Sequence, residues 1–366
     1  MKKNLWLAAL VGVALTGCVN DESVSDAGMQ KEMLFGTPAL KTQTRANILG
    51  EISGTQAYAD GSESFNVSAW TYQGAFADKA WDQMSRFFSE DGEVATKGTT
   101  FWTTATSHYW PSANYNVLFA AYSPAELNVT GTDEVPSTPV NPTITYDEKG
   151  VTIADFKVQA VADYQYDLMY SDYAADKNVT NNGSTAVDLN FNHALSSIIF
   201  SAQATKAQAD ITYFITKAEL VGSFYTNGTF KQNIGGTAAW SYDADDIEEC
   251  IYAPTFQKYT VTEEPGQFTS GRSAMLLIPQ VVPAEAVVRL TYEKQSPTAV
   301  LTNTVDINLK DFIATDASNN KYSIEEWKPG YRYVYRVAFG ENKPIFFNPV
   351  VSTWKEEPVA IYTISY

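Results

Sequence analysis

The sequence predicts an all-β protein made of antiparallel sheets. Apolar and polar residues alternate with a period of two in many stretches, which is typical of strands with one buried face. Pairs rich in Asn, Gly and Pro, which favour turns, separate these stretches. Helical periodicity is scarce, and only 78–88 and 323–327 favour a short helix. We therefore expect antiparallel sheets that each expose one face to solvent.

The alternation is sharpest at 187–192. There Val187, Leu189 and Phe191 share one face, and Asp and Asn residues occupy the other. Similar patterns recur along the chain and predict further strands. They lie at 115–122, 211–215, 288–292, 305–309 and 331–339.

Length and composition restrict the class of protein. The chain has 366 residues, which suits two domains of about 150 residues each better than one. The aromatic content of 13% and the charged content of 18% exclude a disordered chain. The net charge of −17 opposes binding to nucleic acid, which requires clustered Lys and Arg.

The N-terminus has the organisation of an export signal. Lys2 and Lys3 precede an apolar run over 5–15, and small residues connect this run to Cys18. The run is too short for a membrane-spanning helix of about 20 residues but suits a secretory signal. We therefore assign 1–17 as a signal peptide. No later stretch reaches the length of a membrane span.

The end of this signal resembles the lipobox of bacterial lipoproteins, in which the cysteine thiol is acylated and becomes the new N-terminus. The resemblance implies that Cys18 carries palmitate and anchors the protein. The polar, acidic residues that follow Cys18 resemble the surface-export signal of Bacteroidetes lipoproteins, which implies a surface-exposed protein of the outer membrane. An ordinary signal peptide with an incidental cysteine is the alternative.

The body divides into a tether and two predicted domains. Residues 18–45 are weakly patterned and predict a tether or propeptide, interrupted by an apolar patch at 33–35. A polar, Asn- and Gly-rich stretch ends at 185, directly before a sharp strand pattern. We therefore predict an N-terminal domain over 46–185 and a C-terminal domain over 186–366.

The sequence offers no catalytic constellation. A hydrolase triad requires a base, and the only histidines are His108 and His193. Neither lies in a nucleophile elbow or a paired metal-binding motif, and phosphate-binding Gly-rich loops are absent. We expect both to be structural residues at a strand end or in a loop. No carboxylate pair is singled out by its context, so we predict neither enzyme activity nor a cofactor.

Two further features admit a binding or a structural interpretation. The acidic run at 243–249 lacks the ligand spacing of a calcium loop, which favours a solvated turn. We expect Cys250 beside it to be a small buried hydrophobic residue. Trp102, Tyr109 and Trp110 suit either sugar stacking or the core, and the core is the expectation in so aromatic a chain.

Six short motifs, taken in order, resemble the fimbrillin-like (type V pilin) proteins of Bacteroidetes. The first reads W-x-T-x-x-x-H-Y-W-P and continues into F-A-A-Y-S-P at Pro124. The others are Asp167-Leu-Met-Tyr170, Leu189-x-Phe-x-His-Ala-Leu195, Leu277-Ile-Pro-Gln280, Trp327-x-Pro-Gly-Tyr-x-Tyr333, and Ile345-x-x-x-Pro-Val350 followed by Trp354. Each motif is weak alone, and it is their shared order that carries the resemblance.

This resemblance implies two transthyretin-like antiparallel β-sandwich domains in tandem. It also implies that an Arg-specific protease removes the N-terminal segment with its first strand, and that a strand from the next subunit fills the groove left behind. The matching position here is Arg45, followed by Ala46. The alternative is a lipid-tethered protein that keeps its N-terminus.

The C-terminal tail is the candidate for the donated strand. Val359 and Ile361 alternate with Ala360 and Tyr362, which suits either a donor strand or the last strand of the chain's own second domain. The sequence does not separate these two alternatives, nor a stalk subunit from a tip or anchor subunit.

The leading hypothesis is a structural subunit of cell-surface fimbriae that supports adhesion. Its partners would be other fimbrial subunits, joined by β-strand addition, and the outer membrane, reached through the N-terminal lipid. The alternative is a monomeric surface lipoprotein that binds a glycan or a host protein through exposed aromatic residues. A hydrolase is the least favoured class.

Overall fold

The computed structural model describes most of the chain after residue 30 and confirms the all-β class. The described residues are 31–36, 39–40, 64–78, 81–125, 127, 142–147, 150–162, 165–205, 210–233, 238–269, 274–315, 321–340 and 344–353. Almost all regular structure within these ranges is β-strand, and the one α-helix found there, α1 at Val179–Asn182, is a single turn.

In the described part of the chain, eleven strands precede residue 195. They are β1 (Ala39–Leu40), β2 (Ser64–Tyr72), β3 (Ser85–Arg86), β4 (Glu93–Lys97), β5 (Trp102–Thr104), β6 (Asn116–Ser123), β7 (Thr143–Asp147), β8 (Gly150–Lys157), β9 (Met169–Ser171), β10 (Ala174–Lys177) and β11 (Asn190–His193). Short 3-10 turns lie at Phe76–Asp78 and Trp81–Gln83.

Fourteen described strands follow. They are β12 (Ser196–Ala204), β13 (Thr212–Tyr225), β14 (Asn227–Asn233), β15 (Ala238–Ser241), β16 (Ile247–Tyr252), β17 (Tyr259–Thr260), β18 (Gly266–Gln267), β19 (Met275–Leu277), β20 (Val287–Gln295), β21 (Val300–Asn308), β22 (Ile313–Thr315), β23 (Lys321–Ser323), β24 (Tyr331–Phe339) and β25 (Pro344–Thr353). Here 3-10 turns lie at Ala244–Asp246 and Leu309–Asp311.

The first half is organised around a nine-stranded sheet, called sheet A. Its strand order is β1-β11-β9-β6-β2-β4-β5. In addition, β10 pairs with β6 and β3 pairs with β2. Both faces of its central strands are buried, since Phe119 and its neighbour Leu118 in β6 are both fully inaccessible. The expectation of one solvent-exposed face is therefore wrong for this sheet, because a separate core covers each side.

A four-stranded sheet, called sheet B, covers one face of sheet A. Its order is β15-β14-β8-β7. The ring of Trp70 in sheet A lies 5.9 Å from that of Tyr146 in sheet B, and Arg86 lies 5.4 Å from both ring centroids. The rings of Tyr170 and Phe230 approach to 4.9 Å.

Sheet B joins residues from both sides of the predicted boundary at 185. Strands β14 and β15 lie beyond it, yet β14 pairs with β8, and β11 likewise pairs with β9. Only Thr226 separates β13 of the second half from β14. The division into two domains stays a prediction, and the strand pairing shows that the two halves share sheets.

The second half contains two five-stranded sheets. Sheet C has the order β18-β12-β24-β25 with β19 beside β12, and sheet D has the order β16-β13-β20-β21 with β17 beside β13. They pack together through large side chains, since the ring of Phe339 in β24 lies 5.1 Å from the rings of both Tyr213 and Tyr292.

The strand pairing is predominantly antiparallel, as expected, and the parallel pairs are β12 with β24 and β1 with β11. One local expectation is wrong. Among the described residues of the two stretches expected to be helical there is no α-helix: 78–88 contains a 3-10 turn and β3, and 323–327 begins at the end of β23. Helices this short have a costly nucleus, and neighbouring strands offer their backbones hydrogen bonds instead.

Candidate functional site: the N-terminal segment in its groove

An extended segment at residues 31–36, called the N-terminal segment, lies against the face of sheet A that sheet B leaves uncovered. Glu32 forms an antiparallel β-bridge with Tyr109. Phe35 forms an antiparallel β-bridge with Trp102 and a parallel one with Val187. The segment therefore behaves as a strand inserted between two parts of the chain that lie far away in sequence.

Six backbone hydrogen bonds hold the N-terminal segment on both of its edges. The N–H groups of Met33, Phe35 and Gly36 donate to the carbonyl oxygens of His108, Trp102 and Val187 at 2.7, 3.0 and 2.9 Å. In return, Trp110 donates to Lys31 at 2.9 Å, Trp102 to Phe35 at 2.9 Å and Val187 to Leu34 at 2.7 Å. Backbone bonds of this kind require an extended strand but no particular side chain.

The segment buries alternate side chains. Phe35 is fully inaccessible and Met33 is 2% exposed, whereas Leu34 between them is half-buried. The ring of Phe35 makes edge-on contacts with Phe65 at 5.9 Å and with Phe119 at 5.5 Å. Burial of each such side chain contributes about 1.5–3 kcal/mol.

The groove that receives these side chains is apolar. Its floor consists of alternate residues of β2 and β6, and the tryptophans near β5 close one side. The residues are Phe65, Val67, Ala69, Val117, Phe119, Ala121, Trp102 and Trp110. This arrangement binds an extended strand that presents two apolar side chains, two positions apart.

The insertion of residues 31–36 changes the interpretation of 18–45. The apolar patch at 33–35 is expected to interrupt a tether, but Met33 and Phe35 lie in the core. The available signal for a strand was the short apolar run Met33-Leu34-Phe35, which shows no period of two because Leu34 is apolar as well. Three residues are too short a window for that period to stand out from chance.

Comparison with known proteins places this fold. A model of the fimbrillin-like family matches residues 44–354. The chain belongs to the fimbrillin-like family. A fimbrial protein from Bacteroides vulgatus has a similar structure, with a TM-score of 0.58, 17% identity, and coverage of 88% of this chain and 99% of that one. A proposed cell adhesion protein from Bacteroides uniformis has a TM-score of 0.50, 12% identity, and coverage of 89% and 98%. A comparison with curated proteins finds no match.

The first fimbrillin-like motif forms the wall of the groove. Its Trp102 and Trp110 are 2% and 4% exposed, so they belong to the core, and Tyr109 is the exposed member of the three. The ring of His108 lies 4.1 Å from the ring of Phe88, and its Nε2 is 3.5 Å from a carboxylate oxygen of Glu93. The motif thus supplies structural contacts to the N-terminal segment.

Two further motifs of this fimbrillin-like chain meet in one buried pair. Strand β11 pairs with β9 so that His193 faces Met169. The Nδ1 atom of His193 lies 2.7 Å from a carboxylate oxygen of Asp167, and both side chains are fully buried. This pair joins the Asp167 motif to the His193 motif and supports the structural interpretation of the histidine.

The acidic run of the fimbrillin-like chain is a surface turn. Asp243 precedes the 3-10 turn Ala244–Asp246, and Glu248 and Glu249 are exposed on β16. Among the described residues no three His, Cys, Asp or Glu side chains converge as a metal site would require. Cys250 is half-buried, and burial raises the pKa of its thiol.

The residues predicted for lipidation, for proteolytic processing and for the donor strand lie outside the described residues. These are Cys18, Arg45, Ala46, Val359 and Ile361. Within the described ranges, no helix has the length and apolar character of a membrane span.

Proposed function

We propose that this fimbrillin-like chain is a structural, non-enzymatic subunit of cell-surface fimbriae, assembled by protease-triggered strand exchange. One observation carries the proposal: the N-terminal segment, which precedes Arg45, fills an apolar groove as a strand would. Six backbone hydrogen bonds and two buried side chains hold it there. The family match begins at residue 44, directly beside Arg45, which supports a separable segment before that point.

Cleavage between Arg45 and Ala46 would remove the covalent link between the N-terminal segment and the body. Departure of the segment would leave N–H and C=O groups of Trp102, His108 and Val187 without partners. It would also expose the floor of the groove to water. Both consequences are unfavourable, so the cleaved subunit would have a strong tendency to accept another extended strand.

The C-terminal tail supplies a suitable strand. Val359 and Ile361 are two positions apart, which is the spacing of Met33 and Phe35. The family match ends at residue 354, before this tail. A tail from the next subunit would therefore place two aliphatic side chains where the segment had placed its own.

Lipidation at Cys18 would anchor the uncleaved subunit to the outer membrane, with other fimbrial subunits as its partners at the cell surface. The alternative, a monomeric module that binds a glycan or host protein, loses support because Trp102 and Trp110 are buried. A tryptophan in the core presents no face for a sugar ring to stack on.

N-terminal sequencing of the surface-exposed protein tests the proposal. We expect Ala46 as the first residue of the multimeric form and acylated Cys18 as the first residue of the uncleaved form. Arg45→Ala should abolish the first form and the multimers with it, whereas Lys41→Ala should leave both unchanged. Multimers that still contain residues 31–36 would contradict strand exchange at this groove.

A further inference from the structure

Strand β21 forms a long, open edge of sheet D. It pairs with β20 over nine positions without a register shift and ends the sheet within the described part of the chain. All residues from Val300 to Thr304 are exposed. Val300 and Leu301 are 55% and 59% exposed, which is unusual for aliphatic side chains on a sheet edge that faces only water.

This edge lacks the devices that normally prevent strands from pairing between molecules. Proteins protect open edges with charges, prolines and bulges. The edge strand β16 carries adjacent glutamates, and β25 contains two prolines and a register shift. In contrast, β21 has neither Pro nor Lys, and its single charge, Asp306, is bound by Arg289 of β20 at 2.8 and 2.9 Å.

We propose that β21 pairs with β21 of a second copy of this chain, in antiparallel orientation about a two-fold axis at Thr304. This register is the one that uses all nine residues of both strands. It places Thr304 opposite itself, Thr302 opposite Asp306, and Leu301 opposite Ile307. No charge faces a like charge, so the edge is complementary to itself.

The position of Leu301 supports a second copy as the occupant. Leu301 lies on the same face of β21 as Ile307, which is 1% exposed in the core between sheets C and D. In the proposed register the exposed Leu301 of one copy lies beside Ile307 of the other. Each copy would thereby extend the apolar face of its partner and remove Leu301 from water.

The charge near this edge also permits self-association, although the chain carries −17. Strands β13, β20 and β21 contain three bases and three acids: Lys217, Arg289, Lys294, Glu219, Glu293 and Asp306. Their net charge is therefore zero. Two copies that meet at β21 would avoid the repulsion expected between their acidic surfaces elsewhere.

This pairing is independent of strand exchange, because β21 belongs to sheet D and the groove belongs to sheet A. Strand exchange would join subunits end to end. The pairing of β21 strands would join copies side by side.

Cysteine cross-linking of the full-length chain on cells tests the register. Thr304→Cys and Thr302→Cys are compared in a Cys250→Ser background, and the background alone reports any cross-linking through Cys18. On the axis, the two thiols introduced at position 304 would face each other at a distance that a disulfide spans. The two thiols introduced at position 302 would be four positions, or about 14 Å, apart. We expect a disulfide-linked dimer of the Thr304→Cys variant in at least about tenfold excess over that of Thr302→Cys.

Equal cross-linking at both positions, cross-linking at neither, or a product of the Thr304→Cys variant with a different protein would overturn the proposal. A second pair of substitutions should differ in its effect on the dimer. Thr304→Lys puts two like charges on the axis and should abolish the dimer, whereas Thr302→Lys places each lysine opposite Asp306 and should preserve it. Sedimentation of the detergent-solubilised full-length variants measures this, and identical behaviour of the two would also overturn the proposal.

Discussion

The two faces of sheet A are covered in different ways. Sheet B covers one face with four strands from the middle of the chain. Strands of other sheets precede and follow these four in the sequence. The N-terminal segment covers part of the other face with six residues that precede the predicted cleavage position. Both covers bury aromatic side chains completely. The proposed strand exchange requires only the second to leave without unfolding the rest, so we call sheet B the permanent cover and the N-terminal segment the detachable cover.

The largest expected effect concerns the permanent cover. Phe230 of β14 is 1% exposed and contacts Tyr170 and Trp240. Phe230→Ala should lower the free energy of unfolding by about 3–5 kcal/mol, because it leaves a cavity in the core. Urea denaturation should show this loss both with and without the N-terminal segment. Lys231→Ala, on the opposite face of β14, should change it by less than about 0.5 kcal/mol.

The corresponding change on the detachable cover is Phe35→Ala. It should weaken the binding of the N-terminal segment by about 3 kcal/mol, the lower end of the usual range, because a short inserted segment relaxes around a cavity more easily than a strand within a sheet. Hydrogen exchange should show the loss at Trp102 and Val187, whose N–H groups donate to the segment. Leu34→Ala, at the half-buried neighbour, should have a smaller effect. Loss of protection throughout the second half as well would show that the segment is not a separable cover.

Alkaline pH should distinguish the two covers chemically. Burial raises the pKa values of Tyr122, Tyr146 and Tyr170 on the side of sheet B. No tyrosine is among the buried residues described around the groove. A tyrosine whose folded pKa is raised stabilises the fold below its unfolded pKa of about 10, and this stabilisation is lost as pH rises further.

Melting curves between pH 8 and 11 test this expectation. Above about pH 10, each such tyrosine should contribute a loss of up to about 1.4 kcal/mol per pH unit. Tyr146→Phe should reduce the slope, at the cost of the hydrogen bond from its hydroxyl to Asn66. An unchanged slope for Tyr146→Phe would contradict the burial argument.

The smallest effect on stability is expected at the other end of the chain. If residues after Pro358 donate a strand to another subunit, deletion of 359–366 should change monomer stability by less than about 0.5 kcal/mol and abolish multimers. A truncated monomer that melts early would show that these residues complete the chain's own fold. Normal multimers from the truncated chain would show that the donated strand lies elsewhere.

Some elements were predictable from local pattern alone. Val187, Leu189 and Phe191 are buried as their alternation predicts, whereas Asp188 and Asn190 between them are exposed. The pattern succeeded there because the two faces of that strand meet different surroundings. It underestimated β6, in which polar residues are scarce and both faces are buried, because a short apolar run does not reveal how many layers pack on it.

The site was less predictable than the fold. The ordered motifs indicated the family, and Met33 and Phe35 were visible as an apolar patch, but nothing local connected that patch with Trp102 or Val187. The pair of His193 and Asp167 was equally hidden, because its members are separated in sequence and meet only through the pairing of β9 with β11.

The sequence by itself determined the strand pattern and the membership of the family. These properties depend on residue type and short-range spacing, and both can be read directly from the sequence. Tertiary structure alone decided which strands became neighbours, why sheet A has two covered faces, and that the N-terminal segment lies in a groove. Strand pairing is long-range, because an extended edge offers the same backbone hydrogen bonds to any strand, and the burial of distant side chains selects the partner.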